Sequence, residues 1–191
     1  MITDALISFV PIGTNLSLVG GAGVAIPSSV IDLLGDGVGT APTGSIFGVQ
    51  SATFGQAGAM GTGNQRPELN VTIGTALAGA AGLTLNCALQ AAADQGAGGN
   101  FQPSTWNNIG GQDGITLAQG AANTVIMRLP WLPPFPATLR PRYLRLLFSP
   151  VSSGGAVPSG NFTAGTIASA IVVMSRDDYF AKFAQKNYSV S

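Results

Sequence analysis

The sequence predicts an all-β protein of the sandwich class, and three observations carry that prediction. Apolar and polar residues alternate over several short stretches, which is the period of a half-buried strand. The stretches are separated by connections rich in Gly, Pro, Asn and Ser, and no long helical period lies between them. Six to eight strands without an intervening helix build two packed sheets.

The clearest strands follow Pro67. Leu69, Val71 and Ile73 fall on one face, with Asn70 and Thr72 on the other. Leu83, Leu85, Cys87, Leu89 and Ala91 likewise oppose Thr84, Asn86, Ala88 and Gln90. Residues 124–129, 142–148 and 166–174 continue the series, and the stretches 98–100, 110–114 and 152–155 read as its turns. Upstream, residues 1–27 read as an extended N-terminal arm, because Pro11-Ile12-Gly13 and Gly20-Gly21-Ala22-Gly23 break its short apolar pieces. Residues 28–34 form a β-branched run closed by Gly35-Asp36-Gly37, the pattern of a strand and a turn.

The glycine-rich stretch 35–66 carries almost no charge and reads as a long loop inside the sandwich domain, which spans 28–174. Ile46, Phe47, Val49, Phe54 and Met60 are too apolar for a solvated linker, so the loop is expected to order against a neighbour. The tail, 175–191, holds the one helical candidate. Ser175 suits a cap, Asp177 and Asp178 suit the positive helix N-terminus, and Tyr179, Phe180 and Phe183 form an apolar stripe.

Charge is scarce. The 191 residues hold eight Lys or Arg and eight Asp or Glu, 8% of the chain and no net charge, where a soluble domain carries about 25%. A compact chain of this mass exposes about 8,400 Å², so its charges are spread several times more thinly than usual. Zero net charge also removes the repulsion that keeps proteins apart, and the surface is expected to be covered by copies of the chain or by a larger partner.

The same scarcity disfavours catalysis. There is no His, one Glu, Glu68, one Cys, Cys87, and two Lys, Lys182 and Lys186, so most acid–base and metal-ligand sets cannot be assembled. A Ser nucleophile would have to borrow a base from the tail. No glycine stretch completes a phosphate-binding loop, and Asp94, Asp113, Asp177 and Asp178 match no Ca²⁺-loop spacing, leaving turn and cap roles. The expectation is no enzyme, no cofactor and no metal site. Cys87 lies in register with Leu85 and Leu89 and reads as a buried thiol acting as a small hydrophobe.

Other motifs have plain structural readings. Asn15, Asn70, Asn161 and Asn187 begin N-x-Ser/Thr triplets. With Asp4 near the start and no Lys or Arg before Arg66, no secretory signal is expected, and the triplets read as polar strand and turn residues. No apolar run reaches the length needed to span a bilayer, so no membrane partner is expected. The proline-rich segment 130–136 reads as a rigid loop presenting Trp131 and Phe135 to a packing partner. Arg140, Arg142 and Arg145 suggest phosphate binding, but a period of two sets Arg142 opposite Tyr143 and Arg145. Pairing with carboxylates such as Asp32, or with acidic groups on a partner, explains them better than nucleic acid does.

The order of segments resembles a family. SSVIDLLG at 28–35, LTLNCALQAAAD at 83–94, Ser104-Thr105-Trp106, PRYLRLLF at 141–148 and NFTAGTIASAIV at 161–172 resemble tailed-phage capsid cement proteins of the Bbp16 type. The resemblance covers roughly residues 28–174. It implies a jelly-roll β-sandwich, made in the host cytoplasm, that decorates the outer surface of the virion as a homo-oligomer, dimer or trimer. Its partner would be the HK97-like major capsid protein, whose neighbouring subunits it would bridge. The glycine-rich insertion 35–66 and the proline-rich loop 130–136 depart from the usual pattern. Candidate interface residues are Leu6 and Phe9 in the arm, Phe47 and Phe54 in the long loop, Trp131 and Phe135 in the proline-rich loop, and Arg140. The alternative is a recognition module of a phage fibre or a carbohydrate-binding domain, with Trp106 or Trp131 stacking on a sugar ring.

Overall fold

The computed structural model describes residues 3–20, 23–32, 67–95, 102–130, 141–152 and 160–174. These residues are all-β. Four short or medium strands come first: β1 (Thr3–Val10), β2 (Leu16–Ser17), β3 (Ile26–Pro27) and β4 (Ile31–Asp32). They are followed by β5 (Pro67–Ile73), β6 (Ala78–Gly79), β7 (Leu83–Ala92) and β8 (Asn107–Thr116). The last four are β9 (Val125–Pro130), β10 (Tyr143–Ser152), β11 (Phe162–Ala164) and β12 (Thr166–Met174). The expected loop at 35–66, the loop segment 131–136 and the helix after Ser175 lie outside the described residues.

Two antiparallel sheets pack face to face. One has the order β1-β12-β5-β9, with β2 also paired to β12; the other has the order β3-β10-β7-β8, with β4 also paired to β10. A small ribbon joins β11 to β6. The core lies between the sheets, where alternation places it. Leu69, Val71 and Ile73 of β5 are fully buried, as are Leu85, Cys87, Leu89 and Ala91 of β7 and Leu144, Leu146 and Phe148 of β10. Each large apolar side chain among them contributes roughly 1.5–3 kcal/mol by leaving water. Cys87 packs in this core as expected.

The N-terminal segment departs from the sequence reading. Residues 3–10 are not an arm but the edge strand of the first sheet, paired with β12 from Thr3↔Val173 to Val10↔Ala170. Phe9 is 1% exposed within the core, so its side chain is unavailable to a neighbouring subunit. The physical reason is the loss of a period: Ser8, Phe9 and Val10 are all buried in succession, and two register shifts interrupt the pairing with β12.

Residues 28–32, the described part of the run 28–34, are also not one strand. β3 and β4 pair with different parts of β10, at Phe148↔Ile26 and Leu144↔Ile31, and Ser28 to Val30 bulge between them. Ser28 repairs the ladder at this point. Its amide donates to the Leu146 carbonyl at 2.8 Å, and its Oγ accepts the Leu146 amide at 2.9 Å, so a buried backbone donor is satisfied by a side chain.

Residues 110–114, expected as a turn, lie in the middle of β8. Between Leu85↔Ile115 and Cys87↔Gln112, β8 has one more residue than β7, and the same holds between Leu89↔Gly110 and Gln90↔Asn108. These are bulges, and the first contains Gly114. Gly114 has φ +69° in the first bulge, with its amide donating to Asn86 Oδ1 at 2.8 Å. Gly111 passes so close to β7 that a Cβ would overlap the Cys87 carbonyl oxygen.

Candidate functional site

β10 brings two arginines to opposite situations. Arg142 immediately precedes the strand and is 6% exposed; its amide donates to the Ala92 carbonyl. Its Nε donates to Asp32 Oδ1 at 3.0 Å and its Nη2 to Asp32 Oδ2 at 3.1 Å, a bidentate pair with a fully buried carboxylate. Nη1 donates to Asp94 Oδ2 at 2.6 Å. The hydrogen bonds that the guanidinium donates to Asp32, above all, push its pKa above its ordinary value.

Arg142 therefore ties β4 and the segment after β7 to the start of β10. The expected partner Asp32 is the partner found. Asp94, expected in a turn, sits in an isolated bridge to Pro103 and takes the third guanidinium hydrogen bond. The adjacent Tyr143 is fully buried, its ring 5.2 Å from the Arg142 guanidinium carbon, and burial raises its phenol pKa.

Arg145 lies on the outer face of the same sheet. Its guanidinium carbon stands 4.2 Å from the centre of the half-buried Trp106 ring. Its Nε donates to Gln90 Oε1 at 2.8 Å, across the Arg145↔Gln90 pair of β10 and β7. Gln90 is in turn fixed, its Nε2 donating to Asn108 Oδ1 of β8 at 2.8 Å. Gln90 is 8% exposed. Partial burial lowers the Arg145 pKa from its ordinary value.

The face around this network is nearly uncharged. β7, β8 and β10 have ten residues each, and Arg145 and Asp113 are their only ionisable residues apart from Cys87 and Tyr143, both buried. Ala88 and Leu147 stand opposite each other beside Arg145 and Gln90, and Val151 lies further along the same face of β10. Asp113 lies in an exposed part of β8 rather than in a turn.

Most sequence-derived candidates do not meet at this face. Leu6 lies in β1, its side chain outside the described residues, and Phe9 is in the core. Phe47, Phe54, Trp131, Phe135 and Arg140 lie outside the described residues. Trp106, considered as a sugar platform, has one ring face occupied by Arg145. The residues that the sequence reading missed are Gln90 and Asn108. The period of β7 already placed Gln90 on the polar face, but its pairing with Arg145 requires the strand register.

Among the described residues no group of three or more His, Cys, Asp or Glu could hold a metal ion, and no helix is long and apolar enough to cross a membrane. The fold defines the class of protein as an all-β sandwich. The sequence matches no family model and no curated protein.

Proposed function

We propose that this chain is a structural assembly protein, a jelly-roll sandwich that decorates the outside of a phage capsid and cements neighbouring major capsid subunits. The observation that carries the reading is the outer face of β10, β7 and β8: three ten-residue strands with a single exposed carboxylate and a single half-buried guanidinium between them. A face so short of charge desolvates few ions and meets little charge repulsion when it is covered.

Strand order supports the jelly-roll form. With β3 and β4 taken as one interrupted strand, and β2, β6 and β11 set aside as short, eight main strands remain. In chain order they form sheets 1-8-3-6 and 2-7-4-5, which is the arrangement of a double Greek key. Many copies bound across capsid seams would add interface that a shell must break before it ruptures, and multivalency would amplify weak single contacts. The loops at 35–66 and 131–136 are proposed as further contact segments, and Phe9 is not, because the core holds it.

The test is addition of the purified chain to heads that lack it. The expected result is decoration of the outer shell in electron microscopy and survival of heating that ruptures undecorated heads. A chain that leaves heads bare, or decorates them without protecting them, refutes the cement role. Glycan binding lost on Trp131→Ala would instead favour a recognition module.

A further inference from the structure

We propose that the Arg145 guanidinium, held against Trp106 and tied by Gln90, is a docking point for a carboxylate side chain of a partner protein. The inference rests on the assembly reading only for which protein that partner is. Three contacts fix the fork: the indole face at 4.2 Å, Gln90 Oε1 on Nε at 2.8 Å, and Asn108 behind Gln90 at 2.8 Å. Gln90 is more than nine-tenths buried, so the clamp belongs to the fold and not to a mobile surface chain.

With Nε engaged, Nη1 and Nη2 have no partner among the described residues. Two parallel donors on a planar group match the two oxygens of a carboxylate. The flanking pair Ala88 and Leu147 offers no competing hydrogen-bonding side chain, Ser149 and Asn86 standing one pair further on, and covering it would take water away from the fork.

The charge count selects the ligand. Arg145 is the only Lys or Arg in β7, β8 and β10, and the nearby Arg142 is already engaged by Asp32 and Asp94. One available positive charge suits one carboxylate. A nucleic acid would need a row of cations. A flat sheet face also gives a small free carboxylate few contacts beyond the fork, whereas an acidic residue on a protein brings neighbouring surface with it.

Two measurements on the full chain test this. In the first, heteronuclear NMR follows the Arg145 Nε–H and the Trp106 indole N–H during titration with N-acetylglutamate methylamide, with the neutral glutamine analogue as control. Saturable shifts with the carboxylate alone, abolished in Arg145→Lys, are expected. Equal shifts with both probes, or shifts that persist in Arg145→Lys, overturn the proposal.

In the second, heads lacking the chain are titrated with wild type, Arg145→Lys and Trp106→Leu. Both variants are expected to bind about tenfold more weakly or worse, the Lys variant because it keeps the charge but loses the fork. Unchanged binding by both overturns the docking assignment. If wild type itself ignores the heads, the capsid reading fails, and the NMR titration still decides the fork. If sedimentation shows self-association lost in both Arg145→Lys and Asp113→Asn, the carboxylate belongs to a second copy and the proposal of a different partner protein is overturned.

Discussion

Replacing Arg142 with Met removes the three hydrogen bonds that the guanidinium makes to Asp32 and Asp94. The two partners weigh differently. Asp94 has a side chain 22% exposed, so water replaces most of what it loses, and its share is about 1 kcal/mol or less. Asp32 is fully buried, and taking the guanidinium away from a carboxylate in such a place costs about 3–5 kcal/mol. The expected loss is thus about 4 kcal/mol, a large part of the 5–15 kcal/mol that holds a domain together. Urea unfolding followed by tryptophan fluorescence and circular dichroism measures it. With a slope of about 2 kcal/mol per molar, the midpoint falls by about 2 M. The double variant Asp32→Leu with Arg142→Met removes the buried carboxylate as well and should lose less than Arg142→Met alone. A single-variant loss below about 1 kcal/mol, or a double variant whose loss equals the sum of the singles, would refute the reasoning.

Further outcomes follow from the core and its ladders. Ser28→Ala leaves the buried Leu146 amide without the Oγ acceptor and should cost about 1–3 kcal/mol in the same unfolding assay; a loss within error would mean that another group takes over. Gly111→Ala forces β8 away from the Cys87 carbonyl, so hydrogen exchange should accelerate at the β7–β8 pairs and stability fall by about 1–3 kcal/mol, and undisturbed exchange would contradict the close approach. Burial, and secondly the charge of Asp113, raise the Cys87 thiol above its ordinary value near 9.0. The unfolded chain therefore releases this proton first, and stability contributed by the neutral thiol is intact below about pH 8 and declines above about pH 9, by roughly 1.4 kcal/mol per pH unit. Cys87→Ala should remove that component of the alkaline slope, and identical slopes in the two proteins would show that the thiol is not the group responsible.

What could be read from the sequence depended on whether one face of a strand is buried. In β5, β7 and β10 the core takes every second residue, so the period of two is written plainly in Leu69-Val71-Ile73, in Leu85-Cys87-Leu89 and in Leu144-Leu146-Phe148. β8 lies at the sheet edge and buries only Ile115, and its two bulges break what alternation it has, so its glycines looked like a turn. β1 hid for the opposite reason, with Ser8, Phe9 and Val10 all buried and no polar residue facing water between them. The pairing of Arg142 with Asp32 was within reach because both residues border apolar strand runs legible in the sequence, Arg142 just before β10 and Asp32 at the end of β4. The contribution of Asp94 was not, because it depends on the bridge to Pro103, and the stacking of Trp106 on Arg145 depends on the path of the chain between β7 and β8.

The energetics of the Arg145 fork bear on why such a feature would be kept. Ordering a long arginine side chain costs up to about 2 kcal/mol of rotamer entropy. An exposed cation–π contact returns about 0.5–1 kcal/mol, and a hydrogen bond such as that to Gln90 about 0.5–1.5 kcal/mol. The fork is close to neutral for folding, unlike Arg142, whose removal takes a bidentate partner from a buried carboxylate. Its rigidity matters when something binds, because a donor pair already held in place loses little further freedom on association. On a face with so few other charges, that single oriented pair also fixes where a partner's carboxylate must sit, so it sets the register of docking while the surrounding uncharged surface supplies the area.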